Sequence, residues 1–153
     1  MAAVTGKAEQ EAFLTGLGAS EIIDRRQAVD ASGRMILKGK WAGVVDTVGG
    51  EILATAIKST RYGGVVTACG NAASGDLPLN VYPFILRAVS LVGIDSAECP
   101  MPRRQQLWRW LAEEWRPADL ERFASEILLE QLSETIDAML AGRHSGRTVV
   151  NLG

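Results

Sequence analysis

The sequence predicts an α/β fold, a parallel sheet wound on both faces by helices. Three observations carry this expectation. Short runs rich in Val and Ile alternate with amphipathic stretches along the whole chain, which is the strand–helix order of a parallel sheet. The apolar runs are nearly continuous rather than alternating, as in "AGVVD" and "GGVVTA", and so suit strands covered on both faces. Glycines punctuate the runs at positions where a strand has to turn into a helix.

The elements follow in order. "AAV" at 2–4 reads as a short strand, and 7–17 as a helix, with Phe13, Leu14 and Leu17 at helical spacing and Gly18 as its stop. "SEIID" at 20–24 is a second strand. Residues 26–40 are polar, contain Gly33 and Gly39, and read as a short helix and loop. "AGVVDTVGG" at 42–50 is a buried strand with a glycine turn, followed by a helix over 51–59 that buries Ile52, Leu53, Ala56 and Ile57. "GGVVTACG" at 63–70 is a strand, "NAASGDLPLNVYP" a turn-rich segment with Pro78 and Pro83, "FILRA" at 84–88 a short helix and "VSLVGIDS" at 89–96 a further strand. A helix from about 103 to 115 places Leu107, Leu111 and Trp115 on one stripe, and Pro117 starts the next helix. The last helix, 131–141, carries Leu132, Ile136, Met139 and Leu140 on one face and stops at Gly142; "RTVVNL" at 147–152 is the final strand.

The chain has 153 residues, a length suited to one domain of roughly 100–200 residues. A net charge of −2 with interspersed signs leaves no basic face for nucleic acid and no polybasic run for a membrane surface. No apolar stretch approaches the ~18–20 residues that span a bilayer, and the N-terminus lacks the layout of a signal peptide. A cytoplasmic protein is expected. The two cysteines, Cys69 and Cys99, read as buried free thiols, Cys69 as a small core residue. With one histidine and no CxxC, no metal site is expected. That histidine, His144, reads as a solvent-exposed loop residue. Trp41, Trp108, Trp110 and Trp115 read as packing residues rather than base-stacking ones, because no basic groove accompanies them.

The residues that bear on chemistry lie at strand ends. Thr5-Gly6-Lys7 closes the first strand with a hydroxyl, a glycine that admits close backbone approach, and a lysine. In a doubly wound sheet the second strand ends at the adenosine ribose, where an acidic residue selects NAD and a basic one accommodates the 2′-phosphate of NADP. The tripeptide alone equally fits an ordinary turn with a solvated lysine. Arg25, at the end of the next strand, alters the balance. Parallel strands bring their carboxyl ends to one edge, so Lys7 and Arg25 converge on one anion, and a guanidinium fork suits a phosphate. Arg26 reads as a solvated residue at a helix start. Neither "GLGASE" nor "GRMILKGKW" meets the requirements of a glycine-rich phosphate loop. Asp46 reads as a structural cap and, less readily, as a lining of the cofactor crevice. In "TACGN", Gly70 lets the backbone approach a flat ring and Asn71 offers amide and carbonyl groups.

Taken together, "VTGKAEQEAFLTGLGASEIIDR", "VVDTVGG", "GGVVTACGNAASGDLPLNVYPFILRAVSLVGIDS" and "GRTVVNL" resemble the second half of a zinc-free medium-chain dehydrogenase/reductase. The branch resembled is that of the NADPH-dependent acrylyl-CoA reductases and related quinone oxidoreductases. The likeness implies an incomplete Rossmann-like doubly wound parallel sheet over 1–153, lacking its first strand and glycine-rich turn, with the β-rich catalytic domain absent. It implies NADPH as cofactor and no metal. Thr5, Gly6, Lys7 and Arg25 match the 2′-phosphate site, Asn71 a position beside the nicotinamide, Ile85 and Ser96 cofactor contacts on later elements, and Arg147 a position on the C-terminal strand.

No catalytic residue is assigned in this chain. The resemblance implies hydride transfer to the activated C=C bond of a small-molecule substrate such as a small enoyl-CoA, or to a quinone. The alternatives are a truncated, non-catalytic nucleotide-binding or dimerisation module, and a folded remnant that binds nothing. Loss of the central strand strands its two neighbours. They are expected either to pair directly or to have the gap filled by a second copy, the homodimer case, in which the final strand also pairs across subunits.

Overall fold

The structure, a computed structural model, describes residues 1–116 and 123–153. It divides the chain into two compact units, Met1–Glu98 and Cys99–Gly153.

The first unit holds two parallel sheets. β1 (Ala2–Thr5) pairs with β2 (Glu21–Asp24) in a register that sets Thr5 opposite Asp24. Between them a 3-10 turn, Ala8–Gln10, leads into α1 (Glu11–Gly16), and Gly18 at φ 96° ends the helical segment. The second sheet has the order β3–β4–β5, with β3 at Trp41–Asp46, β4 at Thr60–Ala68 and β5 at Ser90–Gly93. α2 (Gly50–Lys58) crosses from β3 to β4 and α3 (Tyr82–Arg87) from β4 to β5.

The core lies on one face of that second sheet. Leu53 and Ile57, one turn apart on α2, pack with Val66 and Val89, and Val44, Ala68, Leu79 and Phe84 surround them. Val44 stands opposite Val66, and Val66 opposite Leu91, so these three side chains share a face. The alternating residues Val45, Thr67 and Val92 point to the other face, where Val45 is 78% and Val92 42% exposed. The expectation of strands covered on both faces therefore holds for one face only.

β1 and β3 do not pair: the two sheets are separate ladders. Direct closure of the gap, one of the two arrangements expected, is thus not adopted. Instead the segment after β2 ties the sheets through side chains. Asp30 donates its backbone N–H to Thr55 Oγ1 on α2 (2.9 Å) and pairs with Lys58 Nζ (3.2 Å), both side chains nearly buried. Lys40 Nζ reaches Glu21 Oε1 at 2.8 Å. Arg87, at the end of α3, donates to the carbonyls of Lys58 and Thr60, each at 3.1 Å, and of Leu37. One guanidinium thereby holds the end of α2, the start of β4 and the connecting loop, a role not visible in the sequence.

The second unit is smaller. α4 (Met101–Ala112) starts with Pro102 in its first turn, where the missing N–H costs nothing. It ends before Trp115, which leaves the expected stripe and packs instead against Trp110, with ring centroids 4.8 Å apart and planes tilted by 46°. Trp108 is 65% exposed, so its reading as a packing residue is not met. The helix expected from Pro117 lies outside the described residues. β6 (Ala124–Leu128), α5 (Leu132–Leu140) and β7 (Arg147–Asn151) form a β–α–β crossover, with Ala124 opposite Arg147 and Leu128 opposite Asn151. The sequence gives little sign of β6: in "ASEIL" only Ile127 is a strong strand former, beside Ala, Ser, Glu and Leu. β6 supplies β7 with a partner inside the chain, so β7 does not depend on a second subunit for one. α5 closes as expected at Gly142 (φ 70°): Arg143 N–H donates to Ala138 O and Gly142 N–H to Met139 O. Ile136, Met139 and Leu140, on the one face that the sequence marks, are exposed.

Candidate functional site

The parallel pairing of β1 and β2 brings their carboxyl ends side by side, and with them four of the expected site residues. Lys7 N–H donates to Thr5 Oγ1 at 3.1 Å, which folds the turn over its own hydroxyl. The Arg25 guanidinium lies across Gly6. A β-carbon added at Gly6 would stand 3.5 Å from both Arg25 Cζ and Nε. Gly6 is therefore the position against which Arg25 rests, and a larger side chain would compete for that space. Arg25 is exposed and has no ion-pair partner among the described residues, whereas Arg26 is fully engaged. Its Nε and Nη2 donate to Asp24 Oδ1 and Oδ2 at 3.0 and 3.1 Å, and its backbone N–H donates to Oδ1 at 2.7 Å. These bonds from Arg26, side chain first, hold the Asp24 carboxyl below its ordinary range and raise the Arg26 guanidinium above its own. Arg26 does start a helical turn, as read from the sequence, but as one half of an ion pair.

A cavity of about 370 Å³ opens beside Arg25 and is lined by Val29, Gly49, Gly50, Ile52 and Ser74 among others. Its far wall is the turn after β3. Gly49 and Gly50 both have positive φ (74° and 60°), and a β-carbon on Gly49 would run into the Ser74 carbonyl oxygen. The buried Asp46 carboxylate accepts the N–H groups of Val48 and Gly49 at 3.2 and 2.8 Å. It thus organises the turn that leads into α2 rather than capping the helix itself, whose N-cap is Gly49. The sequence marked "VGG" as a glycine turn; that the 73–74 segment closes the same cavity follows only from the fold. The wall is mostly apolar, and Arg25, Arg26 and Glu51 also line it.

The remaining expected contacts are less concentrated. Asn71 is exposed, in the loop that packs on Gly49. Gly70 has a reason internal to the protein, since a β-carbon there would meet Thr47 O at 2.5 Å. Ile85 is 68% exposed on α3, and Ser96 follows β5. Arg147 opens β7 in the second unit and donates to Gly146 O at 3.0 Å. Cys69 is exposed rather than a core residue: its thiol donates to Asp46 O at 3.3 Å, and Cys99 is half-buried. His144 is half-buried rather than exposed, with Nε2 at 2.7 Å from Thr148 Oγ1. Among the described residues no three His, Cys, Asp or Glu side chains converge as ligands for a metal, and no helix is long and apolar enough to cross a membrane.

Fold and strand-end residues together define the nucleotide-binding half of a medium-chain dehydrogenase/reductase. Residues 1–113 match the family described as zinc-binding dehydrogenase, and the chain belongs to that family. The chain is 38% identical, over 99% of its length, to the acrylyl-CoA reductase AcuI of Ruegeria pomeroyi. It is 40% identical over 98% of its length to YhfP of Bacillus subtilis, whose name assigns it provisionally to the quinone oxidoreductases. The crystal structure of YhfP with NAD bound matches with a TM-score of 0.93 at 39% identity over 99% of this chain, and covers with it 46% of that chain. The yhdH oxidoreductase of Salmonella enterica in complex with NADP matches equally well, with a TM-score of 0.93, 38% identity and the same coverage of 99% and 46%. The chain spans about half, 46%, of the length of the curated relatives it matches.

Proposed function

We propose that this chain is the cofactor-binding half of a zinc-free, NADPH-dependent oxidoreductase that delivers hydride to an activated C=C bond, as in a small enoyl-CoA such as acrylyl-CoA, or to a quinone. The observation that carries the reading is the Arg25 guanidinium resting on Gly6 beside Lys7, at the rim of an apolar cavity. A fork of donors at a ribose position accommodates a 2′-phosphate, and the apolar wall formed by Val29 and Ile52 excludes water from one face of an adenine ring. Thr5, Gly6, Lys7 and Arg25 would hold the phosphate end of the cofactor. Asn71, Ile85 and Ser96 would line the path of the nicotinamide end. When bound, the reduced nicotinamide supplies the hydride, and the protein's part is to hold it against the acceptor. The relatives bear names of both acceptor classes, quinone and acrylyl-CoA, and the two acceptors remain joint members of the proposal. A cytoplasmic, homodimeric protein fits this reading.

The test is a calorimetric titration of the chain with NADPH and with NADH. NADPH is expected to bind more tightly, and Arg25→Gln to remove about tenfold of that preference, the worth of a hydrogen bond to a charged group. Equal affinity for the two cofactors would overturn the assignment of Lys7 and Arg25. Absence of NADPH binding would favour a module that no longer handles nucleotides.

A further inference from the structure

The carboxyl edge of β1 and β2 carries an acidic group as well as basic ones. Asp24 ends β2 directly opposite Thr5 and next to Arg25. The acid that selects an unphosphorylated ribose ends the ribose-binding strand, here β1, which closes with Thr5, Gly6 and Lys7 instead. Asp24 ends the neighbouring strand opposite Thr5, where an unpaired carboxylate on the same edge would repel a phosphate. What prevents this is Arg26. Its guanidinium occupies both carboxylate oxygens of Asp24, while the backbone N–H of the same residue fixes Oδ1 in place. The pair consumes the carboxylate and leaves Arg25, which has no ion-pair partner among the described residues, as the group facing outward over Gly6.

We propose that Arg26 is a specificity-determining positioning residue: by neutralising Asp24 in a two-pronged ion pair, it makes the Thr5–Lys7 and Arg25 site one for a 2′-phosphorylated adenosine rather than for an unphosphorylated one. The proposal deepens the NADPH reading and rests on it. Arg26 is among the residues lining the cavity beside Arg25, and the role proposed for it runs through Asp24. Its side chain is 91% exposed, so its replacement does not disturb the core. The backbone bond from residue 26 to Asp24 survives that replacement, so the carboxylate stays where it is and only its charge is released. The pair is specific to the local sequence Asp24-Arg25-Arg26, in which the lock and the phosphate-facing cation are adjacent residues.

The experiment compares 2′,5′-ADP with 5′-AMP, two probes that differ only in the 2′-phosphate, by calorimetric titration of the whole chain. Wild type, Arg26→Gln and the double variant Asp24→Asn/Arg26→Gln are measured at neutral and acid pH. Arg26→Gln is expected to lower the preference for 2′,5′-ADP about three- to fivefold, the effect of one uncompensated charge nearby in a wet site. The double variant restores the wild-type preference, because the local charge returns to zero. The loss in Arg26→Gln is also expected to fade as the freed carboxyl is protonated at low pH. In the absence of ligand, the Asp24 carboxyl, followed by nuclear magnetic resonance, should titrate higher in Arg26→Gln than in wild type. An equal loss in the single and double variants would show Arg26 to be a direct phosphate ligand and would overturn the proposal. So would an unchanged Asp24 titration, or an unchanged preference in Arg26→Gln. A wild-type chain with no preference for 2′,5′-ADP would instead overturn the NADPH reading, and this proposal with it.

Discussion

Single side chains decide more of this molecule than its small core suggests. Arg87 donates to three backbone carbonyls from separate elements. Replacing it with Ala leaves those partly buried acceptors without a donor, and is expected to cost about 2–4 kcal/mol, measurable in urea unfolding. Asp30 behaves differently. Hydrogen bonds from the Ser32 hydroxyl and backbone N–H, with Lys58 behind them, hold its carboxyl below the ordinary 3.8. A group whose folded value is depressed contributes stability that is present above its unfolded value and lost as pH falls through the folded one. Acid unfolding curves should therefore show stability falling below about pH 4, and Asp30→Asn should flatten that limb while lowering stability at neutral pH. Some residue-level expectations fail for a plain reason. Cys69 reads as a core residue from its neighbours in "VVTACG", yet it stands just beyond the last paired residue of β4, where the strand has already left its cover.

Elements show which signals survive the step from sequence to structure. α2 was legible because Leu53 and Ile57 keep helical spacing and the glycine pair before it permits positive φ. Gly49→Ala should test that reading: a β-carbon there meets the Ser74 carbonyl, and the left-handed conformation adds strain. We expect a loss of about 2–4 kcal/mol, read as a lowered thermal midpoint, together with loss of nucleotide binding at the adjacent cavity. β6 was illegible. Its pattern of small and charged residues has weak strand character, and β7 alone makes it a strand by offering a ladder of five partner residues. α4 shows the reverse. The 3.6-residue stripe through Leu107 and Leu111 continues to Trp115 in the sequence, but the helix stops at Ala112 and the tryptophan folds back on Trp110.

At the scale of the whole molecule, the two sheets of the first unit remain separate, and one face of the second sheet keeps Val45 and Val92 exposed. Open edges and apolar faces favour association. The chain is expected to form dimers, so light scattering after gel filtration should give the mass of two chains; a clean monomer at working concentration would remove that expectation. The sequence by itself determined the α/β class, six of the seven described strands and the residue types at their carboxyl ends, because apolar periodicity and glycine placement are local properties. It also made the turn at Thr5–Lys7 and the cation at Arg25 legible as a pair, since parallel pairing alone aligns the ends of β1 and β2. The tertiary structure decided the rest. It set Arg25 upon Gly6, gave Arg26 to Asp24, closed the cavity with the 73–74 segment, and left β1 and β3 unpaired. Each of these depends on which groups meet across long stretches of chain, or on which of two adjacent arginines turns toward a carboxylate, and spacing along the sequence carries no record of that choice.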